Sequence, residues 1–235
     1  MVLWAFRWSE FDLGVLLGSG DRFAEFFSRL VPPDWSVAKL VLESTIETLM
    51  IALAGTALAV VFSLPLGFLA AANVSPSWIG HPVRWLLGMI RSIPLIVVAL
   101  LFVSAVGLGP FPGMLAIAFH SVGMLGKFYA EEFETAEAGV LEAVRGTGAT
   151  WAQTVRFGLI PQSIPQLVAF TVYRLEMNFR DAAVLGLVGA GGIGYYIVLY
   201  VRGFQYERVA VLLVVVIAVV FALDYLTLAV RRWVR

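Results

Sequence analysis

The 235-residue sequence contains no cysteine, two histidines and few charges. Without thiols there can be no disulfide, thiolate metal site or cysteine nucleophile. His81 and His120 stand far apart, H-E-x-x-H is absent, and no aspartate pair sits on facing apolar stretches. An intramembrane hydrolase therefore lacks its residues, and neither a metal site nor a catalytic residue is expected. G-x-x-x-x-G-K-[ST] is absent too, so the chain has no phosphate-cradling loop of its own for ATP. Charged residues make up 14% and sum to zero, against about 25% in a soluble domain. That excludes disorder and a nucleic-acid surface.

Apolar residues fill the space: 60% of the chain, with a mean hydropathy of +0.91. This is more apolar surface than one water-facing domain hides, and it reads as an all-α integral membrane protein. Five spans are expected, at about 44–72, 83–107, 113–129, 164–188 and 209–230. In the first, Gly55, Ala59, Ser63, Gly67 and Ala71 recur every fourth residue and predict a face for close helix packing. Gly107 to Gly113, dense in glycine and proline, reads as a turn between the second and third spans.

Residues 1–43 hold no apolar run of about 18 residues. Trp4, Phe6, Trp8, Phe11 and Leu13 alternate with Arg7, Glu10 and Asp12. The pattern predicts an extracytoplasmic segment lying on the membrane surface rather than a cleaved signal. Lysine and arginine placement favours the N-terminus outside and the C-terminus in the cytoplasm. The inner side then holds Arg84, Arg91, Lys127, Arg145, Arg156, Arg231, Arg232 and Arg235, and the outer side Arg7, Arg22, Arg29, Lys39, Arg202 and Arg208.

Residues 130–163 carry Glu131, Glu132, Glu134, Glu137, Glu142, Arg145 and Arg156 and read as a cytoplasmic loop with helical pieces. Within it, Glu142-Ala143-Val144 is followed by three residues, Gly148, nine residues, then Gly158-Leu159-Ile160-Pro161. Gly148 suits the end of one short helix. Ala149 to Phe157 suits a second, which Gly158 and Pro161 are expected to stop. The whole resembles the EAA loop of permease subunits of type I ABC importers, whose pattern is E-A-A, three residues, G, nine residues, I, any residue, L-P. Val144, Gly158 and Ile160 depart from it. Tyr173 to Gly194, with His120 to Lys127, Arg91-Ser-Ile-Pro94 and Gly107-Leu-Gly-Pro110, is similar to phosphonate ABC transporter permeases.

The resemblance implies a five-span permease core over 44–231 with alternating access, in the bacterial cytoplasmic (inner) membrane. Its partners would be a second permease chain, the same or homologous, an extracytoplasmic substrate-binding protein, and two ATP-binding-cassette ATPase subunits that bind ATP and Mg. Glu142, Ala143, Gly148, Ala149, Thr150, Trp151 and Pro161 would couple to the ATPase. The solute implied is a phosphonate or a related phosphorus oxyanion such as phosphite. Another small solute such as an amino acid is the alternative, ahead of a passive channel or an intramembrane enzyme. Gly189, Gly191, Gly192 and Gly194 also satisfy G-x-G-x-x-G, but with no strand before them they read as an outer turn that allows close backbone approach.

The fourth span contains Arg174, Glu176, Arg180 and Asp181. Each charge costs about 2.5–3.5 kcal/mol at a membrane helix centre, so four facing lipid would cost roughly 10–14 kcal/mol. Arg174 and Asp181 fall within about 20° of each other on a helix, and Glu176 and Arg180 are one turn apart on the other side. Two readings stand. The arginines, with His120, offer positive potential to a crossing anion, or the pairs are neutral and fix packing. Either way, protein or water surrounds this span.

Overall fold

The computed structural model describes residues 12–234 together with Met1, Trp4, Trp8 and Ser9. Arg7 and Arg235, counted above for orientation, and Phe6, Glu10 and Phe11 of the aromatic segment lie outside the described residues. All regular structure among the described residues is helical. Two short helices, α1 (Leu13–Leu17) and α2 (Gly20–Ser28), precede a 3-10 turn at Trp35–Val37. The long helices follow as α3 (Ala38–Ala70), α4 (Ser77–Ser92), α5 (Leu95–Val106) and α6 (Pro110–Glu134). The polar stretch then forms α7 (Ala138–Gly146), α8 (Trp151–Thr154) and a π-helical turn at Val155–Leu159. Last come α9 (Ile160–Leu185), a 3-10 turn at Gly186–Val188, α10 (Ile193–Arg202) and α11 (Tyr206–Val234).

Helix α6 is the centre of the bundle, packed by α3, α4, α5 and α9. The four-residue spacing of small residues on α3 explains its contact. A Cβ on Gly55 would come within 2.7 Å of Ile117, one on Gly67 within 2.7 Å of Tyr129, and Ser63 Oγ donates to the Val122 carbonyl at 3.4 Å. Pro65 sits inside α3 without breaking it. Outward-facing Phe62, Leu101, Phe221 and Tyr225 are well exposed, as suits helices whose solvent is lipid.

Two expectations change. Residues 35–70 and 206–230 each suffice to cross a membrane by length and composition; α4 with α5 and residues 151–188 with α10 qualify only as bent pairs, at 84° and 45°. The second span is therefore two helices broken at Ile93-Pro94. The expected third span lies within α6, the central helix, whose Gly113, Ser121, Gly123 and Gly126 are buried against protein and whose half-buried His120 meets Arg174. The expected turn at 107–113 shrinks to Gly107–Gly109, because Pro110 opens α6 where a missing N–H costs nothing.

The proposed boundary at residue 43 also moves, since α3 begins at Ala38. The segment before it is tied to the start of α11. Asp34 N–H donates to the Glu207 carbonyl at 3.1 Å, Arg208 Nε donates to Asp34 Oδ2 at 3.0 Å, and Phe26 meets Tyr206 edge-on at 5.4 Å. Phe23, Phe26 and Phe27 of α2 remain exposed.

Candidate functional site

Polar groups converge where α3, α6 and α9 meet. Arg174 is 5% exposed along its side chain, and its guanidinium reaches four groups. Nε donates to Ser121 Oγ at 3.0 Å, Nη2 to Asp181 Oδ2 at 3.2 Å, Nη1 contacts Met124 Sδ at 3.3 Å, and Nη2 lies 3.1 Å from His120 Nδ1. The imidazole accepts that last bond in the tautomer that keeps its proton on Nε2. Ser121 Oγ donates to Asn178 Oδ1 at 3.0 Å, and Asn178 Nδ2 donates to Thr56 Oγ1 at 2.8 Å. Thr56 in turn donates to the Ala52 carbonyl at 2.7 Å. No buried side-chain nitrogen or oxygen among the described residues lacks a partner, so the network is closed and rigid.

The structure thus brings His120, Arg174 and Asp181 together and sends Glu176 and Arg180 to the other side of α9, where they pair with each other. Asp181, 35% exposed, brings the network to the surface of the chain. Ser121, Met124 and Thr56 were not singled out from sequence. Thr56 offers a faint signal as a polar residue four positions from Ala52 within an apolar run.

The polar stretch forms two helices folded against each other. Glu142 and Ala143 lie exposed on α7. Gly148 follows at φ +82°, donating its N–H to the Arg145 carbonyl at 2.9 Å. Only glycine takes that conformation cheaply. Ala149 is half-buried beside it. Thr150 and Gln153 cap α8 reciprocally: Thr150 N–H donates to Gln153 Oε1 at 2.7 Å, and Gln153 N–H donates to Thr150 Oγ1 at 3.4 Å. Trp151 is exposed and meets Phe68 edge-on.

The expected stop at Gly158 and Pro161 does not occur, for the backbone runs on through the π turn into α9. In the wider π register Ile160 N–H donates to the Val155 carbonyl. Pro161 then falls in the first turn of α9, where its fixed φ suits the helix and does not end it. Gly158 is there for space: a Cβ would come within 2.9 Å of Leu141 on α7.

At the opposite end, Gly189, Gly191 and Gly192 all have positive φ, at +86°, +78° and +72°. A Cβ on Gly191 would meet Glu47, one on Gly192 would meet Thr48, and one on Gly194 would fall 1.9 Å from the Ala183 carbonyl. Thr48 Oγ1 accepts from Ile193 N–H at 2.8 Å, pinning the turn to α3. Helix α10 follows this turn, and no strand precedes it among the described residues.

No group of three or more His, Asp or Glu that could hold a metal occurs among the described residues. The arrangement can hold and screen charge inside a membrane; it has no nucleophile or acid–base pair aligned for bond breaking. Residues 63–235 match the family described as binding-protein-dependent transport system inner membrane component. The chain is 41% identical over 226 residues to the phosphite transport system permease protein PtxC of Stutzerimonas stutzeri, covering 94% of this chain and 81% of that protein. It is 37% identical to the phosphate-import permease protein PhnE of Mycolicibacterium smegmatis, over 95% of this chain and 42% of that one. Its fold superposes on a chain of the MetNI methionine ABC transporter in an inward-facing conformation, with TM-score 0.78, 22% identity and coverage of 86% and 99% of the two chains. The chain belongs to the family of inner-membrane components of binding-protein-dependent transport systems, and its work is transport, not catalysis.

Proposed function

We propose that this chain is the permease subunit of an ATP-binding-cassette importer for a phosphorus oxyanion, phosphite or a phosphonate. The 41% identity with a phosphite permease over nearly the whole chain carries this reading. The buried Arg174 on α9, flanked by His120 and Asp181, supplies chemistry that suits it. A guanidinium held by one carboxylate binds an oxyanion weakly and releases it by returning to its own partner. Two permease chains form the pathway, and two ATPase subunits, which bind ATP and Mg, dock on α7, α8 and Gly148. A binding protein delivers solute from outside, on the side of the glycine turn and of the N-terminal segment, and the C-terminus of α11 lies in the cytoplasm. ATP-driven closure of the ATPases opens the spans outward, and hydrolysis returns them inward.

The relative named for phosphate import supports inorganic phosphate as a second reading. The test is uptake into proteoliposomes holding the whole complex, with phosphite, methylphosphonate, phosphate and methionine in competition. Phosphite or methylphosphonate should be taken up and should compete with each other. Preference for phosphate selects the second reading, and preference for methionine refutes both.

A further inference from the structure

The break between α4 and α5 carries a charge in a place where neither lipid nor this chain accounts for it. Arg91 ends α4, and Arg91, Ser92, Ile93 and Pro94 are all exposed. A Cβ on Gly123 would come within 2.8 Å of the Arg91 backbone nitrogen, and Gly123 lies near the middle of α6. His120 is one turn away on the same helix, and the Arg91 charge acts on it. The break therefore stands at mid-depth in the bundle. Helix α5, 12 residues long, reaches only about 18 Å and cannot span a hydrocarbon core of about 30 Å by itself.

Irregular backbone at that depth survives only against protein or water, and an unpaired guanidinium does not face lipid. The Arg91 side chain makes no hydrogen bond or ion pair with any described residue. The carboxylates in α9 are engaged, Asp181 by Arg174 and Glu176 by Arg180. A second copy thus has no spare acid on that helix to meet Arg91. Resting on the importer reading above, we infer that Arg91 faces the aqueous pathway between the two permease chains and is a further residue that holds the crossing oxyanion, beside the His120–Arg174 network.

The exposed Asp224 of a second copy is the competing partner. The absence of cysteine makes the test clean, because Arg91→Cys supplies the chain's sole thiol. In proteoliposomes with ATPase and binding protein, the thiol of the Arg91→Cys variant should react with both cationic and anionic membrane-impermeant methanethiosulfonates. Phosphite uptake should fall about tenfold, the loss of one charge-assisted hydrogen bond, while stimulated ATP hydrolysis persists. The cationic reagent should restore most of the uptake and the anionic one none, and Arg91→Lys should keep most of it. A thiol unreactive in the assembled complex overturns the inference, as does uptake indifferent to the charge at this position. Loss of the permease pair that Asp224→Asn relieves also overturns it, by assigning Arg91 to an interchain ion pair. If the parent complex carries no phosphite, the substrate reading fails, while labelling of the Arg91→Cys variant still decides whether the break faces water.

Discussion

Glu176 accepts from Arg180 one helical turn further along α9, and the two stand in unequal surroundings: the carboxylate side chain is 6% exposed, the guanidinium 43%. Removing the exposed partner strands the buried one. Arg180→Ala should cost about 3 kcal/mol, the lower end for breaking a buried pair because water reaches the arginine. The double replacement Glu176→Gln, Arg180→Gln should recover most of that loss. Thermal unfolding in detergent measures both. A double variant no more stable than Arg180→Ala shows that the pair does not fix packing, and an assembled double variant without uptake points to a place in the pathway.

Gly148 separates strain from docking. Its Cβ would meet open space, yet its φ of +82° costs a side chain about 1–2 kcal/mol. Gly148→Ala should therefore lower stability slightly and leave coupling near the parent level. Gly148→Arg adds bulk on the exposed side of α7 and α8, and should insert normally while ATP hydrolysis no longer drives uptake. Substrate-stimulated ATPase and uptake, measured together, decide this; normal coupling in the arginine variant removes the loop from the ATPase contact.

What was legible in the sequence was what one helix determines alone. The pairs 174 with 181 and 176 with 180 follow from helical periodicity, and the small-residue face of α3 from a four-residue spacing. Partners from other helices were not legible, since nothing in the run around Ser121 says it will meet Asn178. The break after Ser92 escaped because hydropathy measures side chains and not backbone. Its signal was Pro94, which forces Ile93 out of the helical region to ψ 123°. The same residue type misled at Pro161, which sits in the first turn of α9 and does not end the helix.

Two glycines should respond oppositely to the same change. Gly194→Ala would place a Cβ 1.9 Å from the Ala183 carbonyl, with Gly186 packed just behind. Both neighbours are backbone and cannot yield, so the variant should give little monodisperse protein on size exclusion. Gly88, inside α4, has nothing within 4 Å of its Cβ and no positive φ. Gly88→Ala should raise stability by about 0.5–1 kcal/mol, the entropy a helical glycine forfeits. Comparable yields of the two variants would contradict the packing of the outer turn.

Asp34 tethers the N-terminal segment to the start of α11, and its protonation should release it. Hydrogen bonds from Ser36, then from Arg208, hold its carboxyl at about 2, below the ordinary 3.8. A depressed carboxyl contributes stability that is complete above its unfolded value and lost as pH falls through the folded one. The tether should therefore hold at pH 5 and weaken between pH 3.8 and 2. Hydrogen exchange at the Asp34 amide, which donates to Glu207, should accelerate across that window after correction for intrinsic rates. Asp34→Asn should show raised exchange already at pH 5 and no further transition. A parent protein whose exchange is flat from pH 5 to 2 places the tether elsewhere, on the Phe26–Tyr206 contact that does not titrate there.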